Sequence, residues 1–167
     1  MSHRRSTVVA VTAVAMALLV ALPLAAPPAF IQALTAPRFT VEDSRGGKVF
    51  YSVPATQVEA VELEWIHSIE KAPWRERYVI DGDELVLSEV FLKSYGAGVP
   101  ADLEGTTVNE NGTVHTSGIN RPIGQLHWVH SHATHHTLRV FLRGSPEPIV
   151  LDTEIPHHTF VTASATS

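Results

Sequence analysis

The sequence predicts an all-β domain: an antiparallel β-sandwich or barrel of about ten short strands, preceded by one N-terminal hydrophobic helix. Three observations support this fold class. Beyond Arg38, apolar and polar residues alternate with a period near two, whereas helical spacing is hard to find. Turn-forming residues recur at short intervals along the same part of the chain. The long uncharged apolar run, by contrast, is confined to the first 37 residues.

The first 37 residues are typical of a targeting or anchoring segment. Arg4 and Arg5 precede an uncharged stretch that continues to Pro37 and includes the apolar run of residues 7–26. A helix of about 20 apolar residues is long enough to cross a bilayer. Because basic residues stay on the cytoplasmic side, residues 38–167 are expected to form one domain outside the cytoplasm.

The sequence leaves open whether this leader is cleaved. Ala25 and Ala26 offer the small residues that a signal peptidase requires, but Pro27 and Pro28 follow at once and hinder cleavage there. A retained leader gives a single-pass membrane protein with its domain outside the cytoplasm. A cleaved leader gives a secreted or periplasmic domain.

Charge and cysteine content exclude several classes of protein. The chain has 12 basic and 17 acidic residues, and without Arg4 and Arg5 the domain keeps 10 basic residues and a net charge of −7. This balance is unlike that of a nucleic-acid-binding surface. Because cysteine is absent, disulfides, thiolate metal sites and a cysteine nucleophile are excluded. The sequence predicts no cofactor.

Short alternating segments separated by turn residues predict the strands. RFTVED and KVFYSV flank the turn SRGG, and VEAVELEWI places Val61, Leu63 and Trp65 on one face. The turn DGD joins WRERYVI to ELVLSEVFLKS, and Asn111-Gly112 between TTVNE and TVHTS is a strong hairpin signal. The remaining strands are predicted in QLHWVHS, TLRVFL, PIVLD and TFVTA.

The stretch WIHSIEKAPWRERY interrupts the alternation with a polar cluster. The adjacent residues His67 and Ser68 face opposite sides of an extended chain, so they cannot act together as base and nucleophile. His67, Glu70 and Glu76 form a better group, because an imidazole and carboxylates can bind a cation or a polar ligand. In the structural alternative, both glutamates accept backbone hydrogen bonds or pair with nearby basic residues, which are Lys71, Arg75 and Arg77.

A second polar cluster, HWVHSHATHH at residues 127–136, contains five histidines. In a strand His130 and His132 would share a face, and paired neutral imidazoles suit zinc, copper or nickel. The spacing matches no specific ligand motif. A solvated, weakly pH-sensitive loop is therefore the favoured interpretation, and no metal is predicted.

The segment YGAGVP, residues 95–100, predicts a tight turn. Gly96 and Gly98 lack the following helix and the lysine of a phosphate-binding loop. The hairpin of VELEWI and WRERYVI puts the polar cluster at a sheet end, and the next strand returns Tyr95 toward that end. We therefore expect one shared corner, covered by Trp74, with His67 within about 15 Å of Gly96.

Three segments in order, HSIEKAPWRERY, ELVLSEVFLKSYGAGVP and HHTLRVFLRG, resemble the DUF1850 family of domains of unknown function over most of residues 38–163. Members of that family are small, usually follow a membrane segment, and are commonly encoded beside tripartite periplasmic transporters of the TAXI type. The resemblance therefore implies an accessory role in solute uptake and no established reaction. The histidines of residues 127–132 depart from the family's plainer pattern, so it implies no role for them. The residues expected to bind a ligand or partner are His67, Ser68, Glu70, Trp74, Glu76, Tyr95, Gly96 and Gly98.

These observations give three functional hypotheses. The first is a non-enzymatic, membrane-tethered domain that supports a TRAP-type (TAXI) transporter by contacting its permease or its solute-binding protein. The second is a metal-dependent or acid/base hydrolase that uses His67, Glu70 and Glu76, although the missing G-x-S-x-G motif and the missing cysteine count against an enzyme. The third is a structural envelope protein in which the polar cluster only stabilises a corner.

Overall fold

The computed structural model describes residues 36–93 and 104–166, and these residues form two antiparallel β-sheets. The prediction of an all-β domain is confirmed, and neither sheet closes into a barrel within these residues. The described strands are β1 (Arg38–Asp43), β2 (Val49–Pro54), β3 (Val58–Ile66), β4 (Pro73–Asp81), β5 (Glu84–Leu92), β6 (Thr106–Glu110), β7 (Thr113–Gly124), β8 (Leu126–Val129), β9 (Thr137–Leu142), β10 (Ile149–Leu151) and β11 (Phe160–Thr166).

The smaller sheet has four strands in the order β2-β1-β11-β8, and the larger has seven in the order β10-β9-β3-β4-β5-β7-β6. Every described pairing is antiparallel. The chain therefore begins and ends its described part in the smaller sheet. In between it forms the larger sheet, except for β8, which joins the smaller sheet.

The predicted hairpins are present. β3 pairs with β4, and β4 pairs with β5 through a turn in which Asp81 lies opposite Glu84. Asn111 and Gly112, between β6 and β7, both have positive φ, at 51° and 76°. Two successive residues with positive φ are what the turn of a tight hairpin requires, and Asn-Gly adopts them at little cost. Local turn chemistry therefore sets this register.

The two sheets share one hydrophobic core. The larger sheet contributes fully buried side chains such as Val61 and Leu138, and the smaller sheet contributes Phe39, Val41 and Val161. Residues two apart on a strand face the same side, so the period-two alternation of the sequence directly selects these side chains. The burial of apolar surface from both sheets is the main stabilising contribution.

The outer face of the larger sheet carries ion pairs between neighbouring strands. Glu62 is only 5% exposed. Its carboxylate accepts a hydrogen bond from Arg77 Nη1 at 2.8 Å, and Arg75 Nη1 lies 3.7 Å away. Glu64, two residues further along β3 and on the same face, pairs instead with Arg139 at 3.4 Å. The two arginines of β4 thus offset the cost of burying the Glu62 carboxylate through charge-assisted interactions.

Several sequence predictions lie outside the described residues. They concern the N-terminal hydrophobic helix and the leader up to residue 35, and the glycine turn that contains Tyr95, Gly96 and Gly98. Across residues 36–93 and 104–166, no helix has the length and apolar character needed to span a membrane.

Candidate functional site

Three segments converge at one end of the larger sheet. β3 ends where β4 begins, with Trp65 opposite Trp74, and β9 begins beside Glu64, which lies opposite Thr137. The loop of residues 67–72 and the histidine-rich segment of residues 130–136 therefore lie at the same sheet end. These two segments are far apart in the sequence, and the pairing of β3 with both β4 and β9 brings them together.

A stack of four rings crosses this sheet end, and we call it the ring stack: His67, Trp74, Trp65 and His136. Successive ring centroids are 5.4, 5.6 and 5.9 Å apart, with interplanar angles of 29°, 21° and 7°. The stack forms because directly opposed residues of antiparallel strands bring their side chains close together. Offset stacking of aromatic rings in this range is favourable. All four rings are half-buried.

Glu76 holds Trp74, one of the two inner rings of the stack, in place. Trp74, Glu76 and Tyr78 alternate along β4 and share its core-facing side. Trp74 Nε1 donates a hydrogen bond to Glu76 Oε1 at 3.1 Å, and the Tyr78 hydroxyl donates to Oε2. Burial raises the pKa of Glu76, and the two hydrogen bonds oppose that rise. Burial and the neighbouring Glu76 also raise the pKa of Tyr78.

The loop that follows β3 is closed by His67. Its backbone N–H donates to the Ala72 carbonyl, and its own carbonyl accepts from Lys71 N–H, both at 2.9 Å. Its ring Nδ1 accepts a hydrogen bond from Glu70 N–H at 3.4 Å. Ser68 and Glu70 are exposed, and Ile69 between them is 68% exposed.

The members of the predicted group of His67, Glu70 and Glu76 have different hydrogen-bond partners. His67 bonds Glu70 through the turn, whereas the hydrogen-bond partners of Glu76 are Trp74 and Tyr78. The ion pairs with Arg75 and Arg77, one form of the structural alternative for these glutamates, are not formed. Alternation on β4 sends both arginines to the outer face, where they pair with Glu62.

The corner predicted to be shared by the polar cluster and the glycine turn stays a prediction, since Tyr95, Gly96 and Gly98 lie outside the described residues. The described flank is compatible with it. Leu92, the last residue of β5, lies opposite Trp74 of the ring stack. The chain therefore leaves β5 at the sheet end that carries the stack.

The histidine-rich segment forms a corner between the two sheets. The conditional prediction of a strand through His130 and His132 is wrong, because β8 ends at Val129 and a 3₁₀ turn occupies His132–Thr134. His132 and His135 are exposed, as a solvated loop requires. His130 is fully buried at 0% exposure, which contradicts that interpretation for this residue.

His130 is held as a neutral imidazole. Its Nε2–H donates to the Asp152 carbonyl at 2.8 Å, and its Nδ1 accepts from Trp128 Nε1–H at 3.4 Å. Burial lowers the pKa of His130, and the bond to Asp152 opposes this effect. With both nitrogens engaged, the buried ring has no unsatisfied polar atom.

The ring contacts continue from the stack through this corner. His136 lies 6.0 Å from His130, His130 lies 5.3 Å from His132, and His132 lies 5.4 Å from His157. His157 stacks on His158 at 3.7 Å. We call these eight rings together the ring row: His67, Trp74, Trp65, His136, His130, His132, His157 and His158. No motif or spacing in the sequence points to His157 and His158, because only the fold brings them to the corner.

Among the side chains of residues 36–93 and 104–166, no three histidine, aspartate or glutamate groups are arranged to hold a metal ion. A shallow cleft of about 140 Å³ lies on the outer face at the same sheet end, lined in part by Glu64, Pro73, Arg75 and Phe91. A larger cleft of about 370 Å³ lies on the smaller sheet beside Phe160.

The family model described as "Domain of unknown function (DUF1850)" matches residues 61–143. The chain contains a DUF1850 domain. The DUF1850 match confirms the resemblance, although it is shorter than the range of residues 38–163 expected from the sequence. It spans the ring stack, Glu76 and His130, and ends before His157. No curated protein and no solved structure matches the chain.

Proposed function

We propose that this chain is a non-enzymatic accessory protein of a TRAP-type (TAXI) solute transporter, and that it binds the permease or the solute-binding protein through the ring stack and the loop of residues 67–72. The setting implied for DUF1850 proteins supports the choice of transporter. The acidic balance of the domain favours a partner surface that is not acidic.

The observation that carries this proposal is an exposed apolar side chain beside a fixed aromatic surface. Ile69 is 68% exposed in the loop of residues 67–72, two residues along the chain from His67, the end ring of the half-buried ring stack. Interfaces gain most of their affinity from a few apolar and aromatic anchors that need little ordering on binding. Glu76 fixes Trp74 in advance. The surface is therefore already organised for a partner.

The proposal includes a location outside the cytoplasm, with the chain anchored by its leader or released after cleavage. Arg4 and Arg5 before the uncharged segment support this orientation. A reporter enzyme fused after Ser167 should be active only outside the cytoplasm. Activity of the fusion inside the cytoplasm would contradict the location and, with it, the transporter partner.

Glu76 is the observation that favours a second candidate, an acid/base hydrolase. Its raised pKa favours the protonated carboxyl that a general acid needs. Both of its oxygens, however, already accept hydrogen bonds from Trp74 and Tyr78. A hydrolase would lose its activity in Glu76→Gln, whereas the binding function should survive this nearly isosteric change.

Affinity capture tests the proposed function. The full chain is purified from its native membrane in mild detergent, and the proteins that accompany it are identified by mass spectrometry. We expect a TAXI permease or solute-binding protein, with recovery reduced at least about tenfold in Ile69→Asp because a charge replaces a central apolar anchor. Val49→Asp is the matched control, since Val49 is 50% exposed on β2 of the other sheet. Equal recovery with both variants would contradict the assignment of this surface.

A further inference from the structure

Three histidines of the ring row accept hydrogen bonds from N–H groups. Nδ1 of His67 accepts from Glu70 N–H, and Nδ1 of His130 accepts from Trp128 Nε1–H, both at 3.4 Å. Nδ1 of His157 accepts from His132 N–H at 3.0 Å. An N–H group can only donate, so each of these nitrogens must carry a lone pair. A second proton on any of these rings removes the acceptor and sets two donors against each other.

One of the bonds at risk, from His132 N–H to His157 Nδ1, ties one connection of the chain to the corner between the sheets. His130 N–H donates to the Thr159 carbonyl, and His158 N–H donates to the His130 carbonyl, both at 2.8 Å. The connection from Asp152 to Thr159 is therefore held to the corner both by these backbone bonds and by ring nitrogens of the ring row. The same corner positions His136, which stacks on Trp65.

The charged groups around these rings do little to favour an added proton. His130 faces His132 and His136, which disfavour its protonation, and Asp152, which favours it. Burial lowers the pKa of His136. Desolvation, followed by repulsion from His158 and His132, lowers the pKa of His157. On the flanking strands, Glu64 pairs with Arg139, and Glu76 is bonded to Trp74 and Tyr78; in the connection, Glu154 accepts from the Asp152 N–H.

We propose that the ring row is an acid-sensitive clasp that regulates the partner-binding surface. At neutral pH it holds the connection of residues 152–159 and keeps His136 stacked on Trp65. On acidification His130, His136 and His157 take up protons, the connection is released, and the ring stack loses its support. The effect on partner binding rests on the proposed function, whereas the opening of the clasp does not.

The direction of the pH dependence follows from the lowered pKa values of His130, His136 and His157. As pH falls through the ordinary histidine value of about 6.5, an open or unfolded corner takes up protons before the closed one does. The closed state therefore loses stability as pH falls below about 6.5, until its own histidines titrate. Above that pH its contribution is fully present.

The three tryptophans of the chain report on the clasp directly. Trp65 and Trp74 belong to the ring row, and Trp128 donates to His130. In the full-length protein in detergent, we expect tryptophan emission and the near-ultraviolet circular dichroism to change with a midpoint below about pH 6.5. The far-ultraviolet β signal should persist. Constant tryptophan signals from pH 7.5 to 5, or loss of the far-ultraviolet signal over the same range, would overturn the proposal.

Matched variants assign the transition to the row. His157→Asn puts an oxygen acceptor near the Nδ1 position without a titrating group, and we expect it to reduce the amplitude by at least half. His135→Asn is the control, because His135 is exposed, has a φ of 51° that asparagine tolerates, and lies outside the row. An unchanged transition in His157→Asn, or an equal loss in His135→Asn, would contradict the clasp.

Partner capture at pH 7.5 and 5.5 completes the test. We expect recovery to fall at least about fivefold at pH 5.5 in the wild type, because the binding surface loses its support. His157→Asn should retain most of its recovery. If capture fails at both pH values while the spectroscopic transition is present, the proposed function is wrong and the clasp stands. If capture succeeds equally at both, the clasp does not regulate this surface.

Discussion

Replacing His130 with alanine is expected to lower the free energy of unfolding by about 2 to 4 kcal/mol, because the change opens a cavity and leaves two part-buried polar groups without their partner. The groups that lose their partners are the Asp152 carbonyl and Trp128 Nε1–H. Since His130 is fully buried where the two sheets meet, the site cannot collapse without moving a strand. Urea unfolding of the full chain, followed by tryptophan emission, measures the change.

Two further variants show whether the hydrogen bonds or the volume of His130 cause the loss. His130→Asn retains a short polar side chain able to accept from Trp128, and we expect a loss between those of the wild type and His130→Ala. His135→Asn, at an exposed position of the same segment, should change stability by less than about 0.5 kcal/mol. A loss that small in His130→Ala would mean that the corner does not depend on this ring.

Replacing Glu76 with alanine should affect both stability and binding. Trp74 Nε1–H and the Tyr78 hydroxyl lose their shared acceptor, which costs about 1 to 3 kcal/mol. Trp74 is then no longer fixed in the ring stack. We therefore expect capture of the partner to fall at least about tenfold under conditions in which the variant remains folded.

Glu76→Gln separates the carboxylate charge from its shape. Burial raises the pKa of Glu76, so a neutral side chain at this position avoids the cost of an ionised group. Glutamine can still accept from Trp74 or Tyr78. We expect a change in stability below about 1 kcal/mol and near-normal capture. Normal stability with abolished capture in Glu76→Gln would show that the charge itself contacts the partner, contrary to the positioning role assigned here.

The strands and hairpins could be predicted because their signals are local. Period-two alternation identified the core-facing residues of β3, and Asn111-Gly112 identified the β6–β7 turn. The same alternation also indicates the bonding partners of Glu76. Glu76 lies two residues from both Trp74 and Tyr78 and one residue from Arg75 and Arg77. This spacing already favours bonds to the aromatic side chains over ion pairs with the arginines.

The ring row could not be predicted because long-range pairing creates it. Trp65 meets His136 only through the pairing of β3 with β9, and His132 meets His157 across a separation of 25 residues. Neither contact leaves a spacing signal in a single sequence. The burial of His130 depends in the same way on the connection that follows β10. Histidine content alone indicated a solvated loop, which describes the exposed His132 and His135 but not the buried His130.

Photocrosslinking from position 69 tests whether the loop and ring stack contact a transporter component. A photoreactive amino acid replaces Ile69 in the full chain in its native membrane, and the same amino acid at position 49 serves as the control, since both side chains are exposed. We expect crosslinks from position 69 to a TAXI permease or solute-binding protein, and none of these from position 49. Crosslinks to the same proteins from both positions, or to no transporter component from position 69, would contradict it.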